Sequence, residues 1–360
     1  MSDRLFAATR KGLFELRRKG QGDWDIARTS FMGSPVSMML DDSRDGTLYA
    51  ALDLGHFGVK LHRSDDGGDS WTEIAAPSYA GVDADKEDAP SLNLLWSLET
   101  GGPGEPGVLW AGTIPGGLFR SEDRGESWTL NRALWDQPSR PQWFGGGYDK
   151  PGIHSISLDP RDGRRIAIAI SCGGVWETTD GGESWRPAGD GLVATYMPPE
   201  QQRNPVTQDP HRLVRCRAAP DAMWIQHHNG IFHSETGVDG WSQNETVDPS
   251  FGFAVAVHPE RPGTAWFAPA IKDEYRYPKD GRLVVTRTTD GGKSFDTLTD
   301  GLPQTHGYDL IYRHSLEVDE SGERLAMGST TGGLWLSEDA GERWSQSPFR
   351  LPPINAVRFA

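Results

Sequence analysis

The sequence predicts an all-β fold built from repeated four-stranded units, and three observations support this prediction. First, an eight-residue pattern occurs five times: a hydroxyl residue, any residue, Asp, any residue, Gly, two of any residue, and an aromatic residue. Its Asp occupies positions 66, 123, 180, 290 and 339, so successive copies lie 57, 57, 110 and 49 residues apart. Second, alternating apolar runs, which are typical of strands, precede the copies. Third, the chain contains no helix-period segment of useful length. A fixed period of this size indicates an array of one supersecondary unit.

The gap of 110 residues is twice 55 and indicates a degenerate copy near residue 235. Ser234 and Trp241 keep the spacing of the first and last members, whereas Thr236 and Val238 replace the Asp and the Gly. In complete copies the hydroxyl and the carboxylate can bond nearby backbone groups and close a turn. Gly supplies a backbone shape that other residues resist, and the aromatic packs onto its own unit. We therefore expect a structural role for the octapeptide and no catalysis by its Asp.

The octapeptide resembles the Asp-box of BNR repeats, which occur in sialidases, sortilin-type receptors, xyloglucan-cleaving glycosidases and a photosystem assembly factor. The repeat covers nearly the whole chain, and the resemblance implies a β-propeller. It does not decide the activity, because these relatives have different functions. The chain is not a typical sialidase, since residues 28–36 lack the Arg-Ile-Pro context of that family's first substrate-binding arginine.

Seven units follow one another along the chain, which predicts a seven-bladed β-propeller forming a single domain over residues 1–360. The first unit, with strands at 5–9 and 13–16, lacks an inner strand, and we expect the C-terminal segment 354–360 to complete it. The other inner strands are predicted from residue 36 and at 94–98, 153–158, 213–217, 253–257 and 310–316. The second strands are predicted at 48–52, 108–112, 166–170, 223–227, 265–268 and 325–328.

Composition limits the classes of partner and compartment. The 36 Lys and Arg residues against 51 Asp and Glu give a net charge of −15. This charge disfavours nucleic acid and anionic membrane surfaces as partners. Cys172 and Cys216 are the two cysteines, so no disulfide framework is indicated, and we expect both to be buried. The N-terminal residues lack the pattern of a signal peptide, and the expected localisation is therefore cytoplasmic.

The long insertions predict where function resides. They cover approximately residues 77–92, 131–151, 190–212, 272–282 and 300–309. In a four-stranded blade all of these lie on the face opposite the octapeptide turns. Long loops gathered on one face usually carry function, so the mouth of the channel on this face is the predicted site.

The candidate catalytic residues are side chains that the repeat pattern directs toward this mouth: His154, His227, Tyr308, Asp309 and His314. Imidazoles, a phenol and a carboxylate can transfer protons to and from a bound substrate. The imidazoles could instead bind a divalent metal ion through neutral ring nitrogens, although the sequence contains no local ligand motif. We therefore leave the metal unassigned.

The candidate substrate-binding residues combine polar and aromatic groups of the same loops: His56, Trp143, Tyr148, Asp149, His228, Asp273 and Tyr275. Aromatic rings can stack on sugars, and paired carboxylates can hydrolyse glycosidic bonds. We therefore expect a glycoside hydrolase-like or lyase-like enzyme acting on a sugar-like or small polar ligand. Two alternatives remain: a propeller without enzymatic activity that binds a peptide or protein, and a metal-dependent lyase centred on the histidines.

Overall fold

Seven four-stranded antiparallel sheets make up the computed structural model, which describes residues 1–85 and 88–360. Residues 86 and 87, within the predicted insertion 77–92, lie outside the described residues. The architecture is all-β, which confirms the predicted fold class. No described helix is long and apolar enough to cross a membrane.

The strands of the first three sheets are β1 (Arg4–Thr9), β2 (Gly12–Gly20), β3 (Asp23–Ser30) and the C-terminal β28 (Ile354–Phe359); β4 (Val36–Asp42), β5 (Thr47–Asp53), β6 (Val59–Ser64) and β7 (Thr72–Ile74); and β8 (Leu94–Thr100), β9 (Leu109–Ile114), β10 (Leu118–Ser121) and β11 (Thr129–Leu130). Those of the next two are β12 (Ile153–Asp159), β13 (Asp162–Ile170), β14 (Gly174–Thr178) and β15 (Arg186–Ala188), then β16 (Pro210–Arg215), β17 (Met223–His227), β18 (Gly230–Ser234) and β19 (Ser242–Asn244). The last two sheets contain β20 (Gly252–Val257), β21 (Ala265–Pro269), β22 (Val285–Thr288) and β23 (Asp296–Leu298), and β24 (Leu316–Val318), β25 (Leu325–Gly328), β26 (Leu334–Ser337) and β27 (Ser345–Gln346). Short helical turns lie between strands at Gly55–Phe57, Arg132–Trp135, Arg140–Gln142, Pro205–Thr207 and Lys279–Gly281.

The sheets close into a ring. The inner strands β4, β8, β12, β16, β20, β24 and β28 each contact the next in that order, and β28 also contacts β4. In the first blade β28 pairs antiparallel with β1, so that Leu5 lies opposite Phe359 and Ala7 opposite Val357. The predicted seven-bladed propeller with C-terminal closure is therefore confirmed. Closure leaves the first blade without an unpaired inner edge.

The inner strand of the last blade is shorter than predicted. The sequence predicts a strand at 310–316, but β24 begins at Leu316. The Ser315 N–H donates to the carbonyl oxygen of Tyr312 at 2.8 Å, which forms a turn just before the strand. This turn breaks the strict alternation of side chains across a strand. As a consequence, two consecutive side chains, those of Arg313 and His314, line the same cavity.

The octapeptides form the turns between the third and fourth strands. In the copy at β22–β23, the carboxylate of Asp290 accepts hydrogen bonds from the Thr288 hydroxyl and from the backbone N–H and hydroxyl of Ser294. The Thr288 hydroxyl accepts the N–H of Gly292, whose φ of 85° lies in the left-handed region. The hydrogen bonds within this turn are local, as a structural role requires.

Tryptophans fill the space between blades. Trp110, Trp176, Trp224, Trp266 and Trp335 are almost fully buried. Each large apolar side chain that leaves water contributes about 1.5–3 kcal/mol to folding, so these residues are major contributors to the packing of neighbouring sheets. The inner strands are thereby held in fixed positions, and the residues at their ends form a rigid frame for the loop face.

Candidate active site

A cavity of about 1020 Å³ opens on the face that carries the long loops. Its wall comes from three sources: the inner strands together with the turn before β24, the turns after the second strands, and the insertions. The inner-strand group includes Trp96, Phe253, Arg313, His314 and Asn355; the turn group includes Lys11, Asp53, Cys172, His228 and Thr330; and the insertions add Phe144, Gly145, Gly146, Gly147, Tyr148, Tyr196, Asp209, Asp273, Glu274 and Arg276. The cavity lies on the face that the sequence predicts to be functional.

A cluster of three polar side chains forms one part of the wall. The carboxylate Oδ2 of Asp209 lies 3.3 Å from Nε2 of His211 and 3.5 Å from Nδ1 of His228. Asp209 and His211 are buried, whereas His228 is partly exposed to the cavity. The hairpin of β16 and β17 brings them together, because the N–H of His228 donates to the carbonyl oxygen of Asp209 at 3.0 Å.

The protonation of the cluster follows from its hydrogen bonds. Nδ1 of His211 lies 2.6 Å from the carbonyl oxygen of Gly252, which can only accept, so Nδ1 carries the proton. Burial lowers the pKa of His211 and favours the neutral imidazole. Burial alone would raise the pKa of Asp209, but His211, His228 and the charge of Arg313 hold it well below its usual range. Nε2 of His211 therefore faces the ionised carboxylate of Asp209.

The second oxygen of Asp209 is held by the turn after β13. The backbone N–H of Cys172 donates to Oδ1 at 3.1 Å, and the hydroxyl of Ser171 lies 3.4 Å away. Cys172 has a φ of 47°, an uncommon conformation for a residue other than Gly. The turn thus directs its N–H toward the carboxylate. Burial raises the pKa of the Cys172 thiol, so the thiol is protonated and the expectation that Cys172 is buried holds.

A glycine-rich segment covers this cluster. A Cβ added to Gly146 would lie 2.9 Å from the Ser171 hydroxyl oxygen and 3.5 Å from Oδ2 of Asp209. At Gly145 an added Cβ would meet the carbonyl oxygen of Tyr148 at 1.9 Å. The backbone here approaches the cavity wall more closely than residues with a side chain allow.

Arg313 forms another part of the wall. Only 7% of its surface is exposed. Its guanidinium carbon lies 4.7 Å from the ring centre of Trp96 and 5.2 Å from that of Phe253, so the cation is held between two aromatic rings. Among the described residues, no carboxylate forms an ion pair with Arg313 and no acceptor takes a hydrogen bond from its side chain. The group is therefore a buried cation in the cavity wall without a protein partner in the described part of the chain, and its Nε is enclosed.

His314 follows it on the wall and is 4% exposed. Neither of its ring nitrogens has a hydrogen-bond partner among the described residues. Burial and then the charges of Arg212, Arg358 and Arg313 hold the pKa of His314 well below its ordinary value. His314 is therefore a neutral imidazole in the wall, and both of its ring nitrogens are enclosed by the surrounding protein.

The remaining carboxylates of the wall are engaged. Asp273 forms an ion pair with Arg276 at 2.5 Å, and Glu274 forms one with Lys272 at 3.2 Å. Asp53 accepts a hydrogen bond from the N–H of Gly55. The pKa of Glu274 is lowered by backbone and Lys272 hydrogen bonds.

The predicted site residues divide into two groups. His314, Tyr148, His228 and Asp273 lie on the cavity wall. The rest lie off the wall: His154, His227, Tyr308, Asp309, His56, Trp143, Asp149 and Tyr275. Of these, Tyr308 is exposed and contacts Tyr277, whereas Trp143 is buried against Trp176.

His154 and His227 occupy positions within the packed blades. The ring of His154 is fully buried and bonds the carbonyl oxygen of Pro210 and the hydroxyl of Ser155. The ring nitrogens of His227 lie 3.2 and 3.1 Å from the backbone nitrogens of Asp209 and Asn229, and burial lowers its pKa to about 3. Because their nitrogens already serve the backbone, we do not include either residue in the proposed site.

Four important wall residues are not among the predicted ones: Asp209, His211, Arg313 and Cys172. A signal for the first was available, since Asp209 precedes His211 by two residues and a β16–β17 hairpin would place it opposite His228. No sequence signal distinguishes Arg313 from arginines that pair between blades, because its exposure to the cavity depends on the turn before β24.

Curated relatives of two kinds match along most of the chain. The photosystem II assembly lipoprotein Ycf48 of Synechococcus sp. (strain CC9902) is 22% identical over 341 residues, covering 93% of this chain and 82% of the relative. A xyloglucanase of Paenibacillus sp. is 23% identical over 336 residues, covering 82% of this chain but 28% of the relative. The chain thus spans less than a third of that xyloglucanase. No protein-family model matches the chain.

Solved structures of both kinds share the fold. An ancestral GH74 enzyme superposes with a TM-score of 0.62 at 15% identity, covering 87% of this chain and 38% of the other. Ycf48 bound to a D1 peptide superposes with a TM-score of 0.57 at 15% identity, covering 94% and 90%. At these identities the likeness establishes the propeller fold. It does not assign an activity.

Proposed function

We propose that the protein is an enzyme that binds a small, sugar-like substrate bearing a carboxylate in the loop-face cavity and cleaves it by elimination. The observation that carries this proposal is the buried, unpaired guanidinium of Arg313 in the cavity wall. A buried charge without a partner costs several kcal/mol, so a ligand that supplies a carboxylate recovers a large free energy. The planar guanidinium matches a carboxylate through two parallel hydrogen bonds.

The chemistry follows from where Arg313 and His314 lie. A guanidinium that binds a substrate carboxylate stabilises the negative charge that develops when the carbon next to it loses a proton. The neutral imidazole of His314 accepts that proton once substrate binding exposes one of its enclosed ring nitrogens. A carbon–carbon double bond then forms as the bond between the adjacent carbon and the glycosidic oxygen breaks. The departing oxygen takes a proton from Tyr148, which is half exposed to the cavity and, as a phenol with an ordinary pKa of about 10, is protonated at neutral pH.

The carboxylates of the wall favour elimination over hydrolysis. Hydrolysis of a glycosidic bond needs one carboxyl group that stays protonated as the general acid. Asp209 and Glu274 both have lowered pKa values, and Asp273 is bound to Arg276. The similarity to xyloglucanases supports a sugar-like ligand, and the proposed reaction differs from the hydrolysis that their names denote.

A second candidate function is the binding of a peptide without catalysis. The observation that favours it is that Ycf48 matches this chain over most of both lengths, whereas the xyloglucanase extends far beyond it. A peptide with a free carboxylate could use the same guanidinium.

Product analysis on a defined panel separates these candidates. The panel contains oligomers of glucuronate and galacturonate, neutral aryl glycosides and short peptides. Elimination produces an unsaturated uronate with a new ultraviolet absorbance, whereas hydrolysis releases a reducing end without it. We expect the absorbance from a uronate oligomer, and we expect it to fall by about 10²–10⁴-fold in His314→Gln. Release of reducing ends from neutral glycosides would show that the enzyme hydrolyses its substrate and would contradict elimination. Peptide binding without any product would favour the second candidate.

A further inference from the structure

We propose that Asp209, His211 and His228 bind one divalent transition-metal ion in the wall of the loop-face cavity. One donor atom from each residue lies within 4.8 Å of the other two. Two imidazole nitrogens with one carboxylate oxygen form a donor set suited to Zn²⁺, Fe²⁺ or Ni²⁺. Mg²⁺ and Ca²⁺ prefer sets made of oxygen alone, so we expect them to bind far more weakly.

The hydrogen bonds around His211 orient it as a ligand. Metal-binding imidazoles commonly donate their second N–H to a carbonyl or carboxylate, which fixes the tautomer and directs the other nitrogen at the ion. His211 donates Nδ1–H to the carbonyl oxygen of Gly252 at 2.6 Å, and its ring stacks on Phe253 with centres 4.5 Å apart. Nε2 is therefore held toward Asp209 in one orientation.

Asp209 is oriented in the same way. Its Oδ1 is held by the N–H of Cys172 and the hydroxyl of Ser171, which leaves Oδ2 directed at the two imidazoles. Oδ2 lies 3.3 Å from Nε2 of His211 and 3.5 Å from Nδ1 of His228. A metal ion bound among these three atoms would be coordinated by all of them. The hydrogen bonds on Oδ1 of Asp209 and on Nδ1 of His211 limit how far the donor atoms can move apart.

His228 leaves the site open to the cavity. It is the partly exposed member of the cluster, and its ring packs against Tyr196 with centres 4.7 Å apart. Three protein ligands leave further positions of the ion free for a water or a substrate oxygen, as in catalytic rather than structural sites. A side chain at position 146 would collide with the Ser171 hydroxyl and lie 3.5 Å from Oδ2, so the glycine keeps this side of the cluster free of side-chain atoms.

This inference deepens the proposed function, because the ion would share a cavity with Arg313 and help to neutralise the same substrate carboxylate. Its test needs no substrate. The protein is prepared without a histidine tag, treated with chelator, dialysed, and titrated with Zn²⁺ in a calorimeter. Co²⁺ is then added as a spectroscopic probe, because its visible absorption reports the donor set.

We expect one equivalent of Zn²⁺ per chain and a Co²⁺ spectrum of mixed nitrogen and oxygen ligation. Asp209→Asn and His228→Gln should each weaken Zn²⁺ binding by at least 10-fold, while His56→Gln, which changes an exposed histidine off the wall, should not. Two cluster variants are used so that the test survives if His228→Gln disturbs folding. Asp209→Asn keeps an amide oxygen that can still accept the Cys172 N–H, and we therefore expect this variant to fold. Circular dichroism checks the fold of both.

Absence of a saturable site in the wild type, or wild-type Zn²⁺ affinity in both cluster variants, would overturn the metal site and leave the cluster as a polar contact within the wall. The two proposals fail separately. Uronate binding by a protein that binds no Zn²⁺ contradicts the metal site alone. Zn²⁺ binding by a protein that binds no uronate contradicts the proposed function alone.

Discussion

His314 illustrates the conflict between stability and function at the residue scale. A buried imidazole without hydrogen-bond partners is costly, and an apolar residue of similar size would remove that cost. We therefore predict that His314→Leu leaves the free energy of unfolding unchanged or raises it, while product formation falls to background. Urea denaturation and the uronate assay measure the two effects.

His154→Leu is the matched control for this prediction. Its ring is equally buried but bonds the Pro210 carbonyl and the Ser155 hydroxyl, so the substitution leaves a buried acceptor unsatisfied. That loss should lower the free energy of unfolding by about 1–3 kcal/mol. If His314→Leu destabilised the protein as much as His154→Leu, the role assigned to His314 would be structural.

Two adjacent histidines show why individual site residues were difficult to predict. His227 ends β17 with its ring buried in the blade, while His228, one position later, reaches the cavity. Because successive side chains of a strand point to opposite faces, an error of one residue in a strand end exchanges a side chain within the blade for one that lines the cavity. The sequence indicated the rim on which the cavity lies, but strand ends cannot be read from it to a single residue.

The octapeptide turns lead to a prediction about pH at the scale of single elements. The carboxylate of Asp290 accepts hydrogen bonds, first of all from Ser294, that lower its pKa to about 2. Since the unfolded chain has a pKa near 4 for Asp, this carboxylate stabilises the fold fully above about pH 4. That stabilisation is lost as the pH falls toward about 2.

We therefore expect wild-type stability to decline between about pH 4 and pH 2 more steeply than that of Asp290→Asn, because the variant has no carboxyl to protonate there. Glu245→Gln, at an exposed carboxyl outside any octapeptide turn, should keep the wild-type slope. Thermal denaturation at a series of pH values measures both slopes. Parallel curves for wild type and Asp290→Asn would refute a role for this carboxylate in the turn.

The glycine-rich segment supports a second prediction at this scale. A Cβ at position 145 would collide with the Tyr148 carbonyl oxygen, whereas at Gly147 an added Cβ meets no atom within 4 Å. Gly145→Ala should displace the segment from the cavity wall and weaken ligand binding by about 10-fold or more, with little change in Tm, while Gly147→Ala should bind normally. Equal affinities for the two variants would mean that this segment does not shape the site.

The elements themselves were largely predictable from sequence. The recurring octapeptide and the alternating apolar runs located the blades and the third-to-fourth strand turns. The cluster of Asp209, His211 and His228 was not predictable, because it depends on the register of β16 on β17, where Pro210 lies opposite His227. Register is set by the packing of the whole blade.

Closure of the ring gives a prediction for the whole molecule. Strand β28 supplies the inner strand of the first blade, and Ile354 and Val357 are fully buried between blades. Removal of residues 354–360 should expose the edge of β1 and the apolar flanks of the neighbouring blades, and we expect a large fall in Tm with aggregation. A truncated protein that melts at the wild-type temperature would show that the ring does not need this strand.

The seven-bladed architecture and its closure followed from sequence because every blade repeats one pattern, so the repeats reinforce one another. The cavity depends instead on insertions that have no counterpart in other blades. Arg313 lies on its wall because the turn at 312–315 interrupts one inner strand, and no repeat pattern predicts such an interruption.

The central claim is that the cavity binds a carboxylate through Arg313, and calorimetry with glucuronate tests it most directly. Glucose, which lacks the carboxylate, serves as the matched ligand, and Arg282→Met serves as the control for an arginine on the same face outside the cavity. Hydrogen bonds to a charged group contribute about 1.5–3 kcal/mol, so we predict that Arg313→Met weakens glucuronate binding by about 10–150-fold. Wild-type protein that binds glucuronate no better than glucose, or Arg313→Met that binds it as tightly as wild type, would contradict the account.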